Sequence, residues 1–116
     1  MAYTNLDYLR NITEGDSGSI REIIELFIEQ VPEFIGNMKK HLEEKDYIAL
    51  GKEAHKAKSS VMILGMDETG HNLKSLQLST LNGTRVETYE NEVIRFEKEC
   101  LLAIAELNHE LILLKK

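Results

Sequence analysis

Ile20, Ile24, Phe27, Val31, Phe34, Ile35, Met38 and Leu42 recur at steps of three and four, and Ile23 and Ile28 widen the same stripe. Only an α-helix brings positions so spaced onto one side. Val86, Tyr89, Val93, Phe96, Cys100, Ala103, Leu107, Leu111 and Leu114 repeat the alternation and form the longest helical signal in the chain. One proline, seven glycines and abundant Leu, Ile, Glu and Lys likewise favour a helical protein over a sandwich or barrel. Pro32 falls inside the first stripe and predicts a kink or a short break there, not a new element.

The rest of the chain supplies the partners. Thr4, with Asp7 three residues on, has the form of a capping box and predicts a short helix through about Ile12, halted near Gly15. Asp16 and Ser17 can cap the long helix that follows. "EEKD" at 43–46 ends it, and Asp46 caps a third helix from Tyr47 to about Leu64, closed by Gly65. Asp67 opens another segment through Leu81, with Asn82-Gly83 as its turn. Short connections place successive helices antiparallel. The expected fold is all-α: one domain over 1–116, an antiparallel up-and-down four-helix bundle with a short extra N-terminal helix.

Composition narrows the function. The formal net charge of -6 argues against a nucleic-acid partner, because phosphate backbones require a basic face. No apolar run approaches the roughly 20 residues that span a bilayer, so direct membrane contact is not expected. Cys100 is the one cysteine, which rules out an internal disulfide framework and suits a reducing cytoplasm. No GxxxxGK[ST] or GxGxxG loop is present to hold a nucleotide.

Within the third helix, "AHKAKSSVMILG" at 54–65 stands apart. At about 100° per residue, Tyr47, Leu50, Ala54, Ala57, Val61 and Leu64 cluster on one arc, and His55 lies roughly 140° from its centre. The ring therefore faces outward. Lys52 and Lys58 flank it at three residues to either side, and its neighbours one turn away, Gly51 and Ser59, are both small. A neutral imidazole is a competent nucleophile near neutral pH. In-line attack on a phosphoryl group requires an uncrowded approach, and a lysine one turn away can offset charge on the transferring group. A solvated helix face carrying histidine and lysines would look the same.

Taken together, His55, Lys56, Ala57, Lys58, Ser59, Ser60, Leu64 and Gly65 resemble the H-x-L-K-G-S-x-x-x-L-G motif of histidine-containing phosphotransfer domains in bacterial multistep phosphorelays. The stretch "LFIEQVPEFIGNMKKHLEEKDYIALGKEAH" resembles that family's second helix and acidic turn. Residues 5 to 82 carry the resemblance well, the last helix only by pattern. It implies that His55 accepts a phosphoryl group from a receiver aspartyl phosphate and passes it to another receiver aspartate. It makes Lys58 the lysine beside the phosphate, and Gln77 the polar residue on the facing helix. Gln77 falls on the arc of Leu73, Leu76, Leu81 and Met66, where a glutamine needs a partner. Two departures stand out: Ser59 replaces the usual glycine and Ala57 the usual leucine. The implied partners are response-regulator receiver domains and a hybrid histidine kinase. No cofactor is expected on this domain, and Mg2+ would come with the receiver. The implied setting is cytoplasmic, as a monomer, free-standing or as the cytosolic module of an inner-membrane kinase.

Ile48 and Met62, seven residues to either side of His55, point within about 20° of it and, with Lys52, are candidates for docking a receiver. Leu6, Leu9 and Ile12 of the first helix either extend that patch or cover the bundle's end. A helical bundle that only scaffolds partner proteins is the alternative reading. A di-metal site built on Glu68 with His71 and Glu106 with His109 fails, because these side chains point away from their apolar stripes. His41 reads as a solvated helix end and Cys100 as a small core residue.

Overall fold

The computed structural model describes residues 3–114, and among these there are five α-helices and one 3₁₀ turn, without strands. The helices are α1 (Asp7–Ile12), α2 (Ser17–Glu43), α3 (Tyr47–Ile63), α4 (Asp67–Asn82) and α5 (Tyr89–Leu114), with the 3₁₀ turn at Val86–Thr88 before α5. Local chemistry sets the boundaries. Asp16 accepts from the Ser19 N–H at 2.9 Å and Asp46 from the Ala49 N–H at 3.2 Å, each satisfying an orphan donor of a first turn. Gly65 (φ 73°) and Gly83 (φ 67°) end α3 and α4 in the left-handed conformation that costs glycine nothing.

Polar contacts between helices show their directions. Ser60 donates to Gln30 Oε1 and Asn37 donates to Glu53, both at 3.1 Å, so positions rise along α2 as they fall along α3. Gly51 lies against Thr80 and Gly70 against Met62, which runs α4 back along α3. α5 returns beside α2, where Lys39 meets Glu97 at 3.1 Å. One apolar core joins them: Ile24, Phe27, Val31, Phe34, Met38, Leu50, Val61, Leu64, Leu73, Val93, Phe96 and Leu107 are all buried. Tyr89 is buried too, edge-on to Tyr47 at 5.2 Å, with its hydroxyl donating to the Thr84 carbonyl at 2.6 Å.

α2 and α5, with 27 and 26 residues, outrun α3 and α4, with 17 and 16. The excess, about 15 Å at 1.5 Å per residue, is closed by α1 and the residue before it, with Leu6 and Leu9 buried in the core. Its lead-in is tied down: Tyr3 N–H and the Thr4 hydroxyl donate to Glu106 at 2.7 and 2.8 Å, and Asn5 N–H donates to the Leu64 carbonyl at 2.9 Å. α1 thus covers the bundle's end, leaving Tyr8 and Ile12 exposed.

Three local expectations are corrected. Thr4 does not cap α1: its hydroxyl is taken by Glu106, and Asn5 Oδ1 accepts the Asp7 N–H instead. The short break that was one option at Pro32 is absent: the proline lies inside a continuous α2 with its ring exposed. Leu81, expected on the inner face of α4, is 62% exposed, because α4 reaches its left-handed end just beyond it.

Candidate functional site

His55 occupies the exposed side of α3, midway along the helix and one position past buried Ala54. Its Nδ1 lies 3.2 Å from Oε1 of half-buried Gln77 on α4. With the amide oxygen as the acceptor, this contact fits the tautomer protonated at Nδ1, in which Nε2 keeps its lone pair. The glutamine thereby anchors one edge of an otherwise exposed ring.

Two close approaches of α3 and α4 hold this pair in register. A Cβ on Gly51 would run into the Thr80 side chain, and one on Gly70 would run into Met62. The Thr80 hydroxyl, buried at this contact, is satisfied by the Gln77 carbonyl at 2.7 Å. Gly51 therefore has a packing reason to be small, because α4 lies directly against it. A glycine inside a helical pattern, such as Gly70 in "DETGHNLKSL", was the available signal for such packing.

Lys58 is half-buried one turn beyond His55, and Lys52 and Lys56 are exposed. Among the described residues none of these three lysines forms an ion pair. The face around His55 is therefore locally positive on a net-negative chain. Ser59 is exposed and lines an open groove of about 710 Å³ together with Tyr8, Met62, Ile63 and Gly65. Tyr8 and Ile63 were not anticipated: the outward side of α1 carries no periodic signal that points to a groove. Ile48 stands 51% exposed on the other flank of His55. Met62 is half-buried against Gly70 and offers less surface than its angular position suggested.

The remaining candidates lie apart. Glu68, His71 and His109 are exposed, whereas Glu106 is engaged by Tyr3 and Thr4. His41 is half-buried at the end of α2, not solvated, and its Nδ1 has no partner among the described residues. Cys100 is wholly buried, and desolvation, followed by the charge of Glu99, pushes its thiol up to about 12. Such a thiol is an inert core residue.

The Hpt domain family model matches residues 22–111, about three-quarters of the chain. The chain belongs to the Hpt domain family. No curated protein and no solved structure matches it significantly. Hpt domains carry out histidine phosphotransfer in two-component signalling and interact with receiver domains and kinases. No described helix is long and apolar enough to cross a membrane.

Proposed function

We propose that this Hpt domain carries phosphate on His55, taking it from a receiver's aspartyl phosphate and delivering it to the aspartate of another receiver. The observation that carries this reading is the exposed imidazole whose Nδ1 is engaged by Gln77, which leaves Nε2 as the nucleophile. The Nε2 lone pair attacks phosphorus as the acyl-phosphate P–O bond breaks and the receiver carboxylate departs. The product is a phospho-imidazolium that still donates Nδ1–H to Gln77. In the onward step a second carboxylate attacks phosphorus, the P–N bond breaks, and neutral imidazole leaves in its original tautomer.

The transferring phosphoryl group carries its charge on three equatorial oxygens, so a nearby cation lowers the barrier. Lys58 is the residue for that role, and Ser59, one turn from His55, offers a hydroxyl to the same oxygens. Ile48, Lys52 and Met62 form the docking rim. The magnesium ion of this reaction comes with the receiver, and the phosphate originates from a hybrid histidine kinase, with the exchange in the cytoplasm. Incubation with a panel of phosphorylated receiver domains, followed by mapping of the acid-labile phosphate, tests the proposal. Label on His55, lost in His55→Gln, is the expected result; a His55→Gln protein that still accepts phosphate overturns it.

A further inference from the structure

α5 carries a second apolar stripe that the bundle does not use. Ile94, Lys98, Leu101, Ala105, Asn108 and Ile112 are all exposed and follow one another at steps of four and three. Ile94, Leu101 and Ile112 are 52%, 58% and 58% exposed. This spacing is the seam of a coiled coil, with Lys98, Ala105 and Ile112 at a and Ile94, Leu101 and Asn108 at d. The seam runs about 27 Å along the helix. It lies on the outer side of α5, next to α2, whereas His55 is on α3, which packs between α2 and α4.

We propose that this seam is a homodimer interface in which α5 of one copy pairs antiparallel with α5 of a second. The stripe is complementary to itself in that arrangement. About a two-fold axis, Ile94 faces Ile112, Leu101 faces Ala105, and Lys98 faces Asn108, each pair occurring twice. Large meets small at the centre, and the polar pair supplies a register-setting layer. Parallel pairing would instead set Lys98 against its own copy, a like-charge contact. The ends match as well: exposed Ile112 at one end reaches the other copy's Ile94, which borders a groove of about 520 Å³ lined by Leu42, Tyr47, Val86 and Val93.

Charge supports the same partner. Glu25 and Glu29 of α2 are exposed and unpaired among the described residues. With α2 and α5 antiparallel, the Lys39–Glu97 contact places Glu25 and Glu29 within about a turn of residues 107–111. In the antiparallel dimer Lys98 of one copy therefore comes alongside Glu29 of the other. The interface is independent of the histidine chemistry and leaves His55 open.

Sedimentation equilibrium of the full chain over a concentration series tests this. Wild type should show a monomer–dimer equilibrium. Leu101→Glu, an exposed position that leaves the core intact, should be monomeric with unchanged helicity, and Ile112→Lys is the second variant should the first unfold. Lys98→Glu should weaken the dimer about tenfold, and adding Glu29→Lys should restore it. Mixing Leu101→Cys with Ala105→Cys protein under oxidation should give disulfide-linked heterodimers, whereas the parallel arrangement would crosslink Leu101→Cys to itself. A wild type that stays monomeric throughout overturns the proposal, as does a dimer indifferent to both seam variants or one that binds only a different helical partner. Phosphotransfer to Leu101→Glu should match wild type, so failure of the dimer and failure of the carrier role are read separately.

Discussion

His55 and Gln77 meet across the α3–α4 interface with Nδ1 3.2 Å from Oε1, and this contact leaves Nε2 as the ring nitrogen without a hydrogen-bond partner among the described residues. Gln77→Ala removes the acceptor, so the ring should sample both tautomers and rotate. A hydrogen bond to a group that becomes charged is worth about 1.5–3 kcal/mol, so the transfer rate should fall about tenfold or more. Rapid-quench transfer assays measure the rate, and ¹⁵N shifts of the imidazole report the tautomer. Equal rates with an unchanged tautomer would remove the positioning role.

Lys58 should act on the rate and not on the fold. It is half-buried and unpaired among the described residues, so Lys58→Ala leaves no stranded charge. Stability should change by less than about 0.5 kcal/mol. Transfer from a phosphorylated receiver should slow about tenfold, with Lys58→Arg recovering most of the loss. A rate that does not change at low ionic strength would discard the electrostatic role.

Gly51→Ala should damage the site from behind. The new Cβ would run into the Thr80 side chain, which is short, β-branched and hydrogen-bonded to the Gln77 carbonyl, so it cannot swing clear. Overpacking of this kind costs about 1–3 kcal/mol, read by urea denaturation. α4 should move away from α3, carrying Gln77 from His55 and slowing transfer. Gly51→Ala/Thr80→Ala should recover part of the stability. Gly70→Ala should cost less, because Met62 is flexible and can move aside.

What was legible in the chain was local. Asp16, Asp46, Gly65 and Gly83 act within a few residues of themselves, and each sits where its side chain or its conformational freedom predicts. The outward direction of His55 followed from helical angle alone. The errors have different causes: Leu81 sits beside the end of its own helix, whereas others needed knowledge of a distant partner. Thr4 has the chemistry of a cap, but Glu106, 102 positions away, competes for its hydroxyl and wins. Periodicity on α5 identifies apolar stripes without saying which faces the bundle, so the outer seam from Ile94 to Ile112 went unread. The pairing of His55 with Gln77 depends on the rotation and register of two helices. Only the family resemblance supplied it in advance.

Glu106 and Glu99 sit on the same helix and should respond to acid in opposite senses. Burial acts to raise the Glu106 carboxyl, but hydrogen bonds from the Tyr3 N–H and from the Thr4 hydroxyl and N–H outweigh it, and its pKa is lowered. Its contribution to stability is therefore present above the unfolded-state value and is lost as pH falls through the lower folded-state value. For Glu99 desolvation dominates and raises the pKa, with Thr69 and Arg95 opposing. The folded state then favours the protonated form, so ionising Glu99 costs stability as pH rises toward neutral. Glu106→Gln should lower Tm at pH 7, flatten the acid limb of the stability curve and speed amide exchange at Tyr3 and Thr4. Glu99→Gln should raise Tm at pH 7 and lose that advantage once the wild-type carboxyl is protonated. Thermal melts across pH 3–7 compare the two, and parallel shifts of both variants would contradict the assignment.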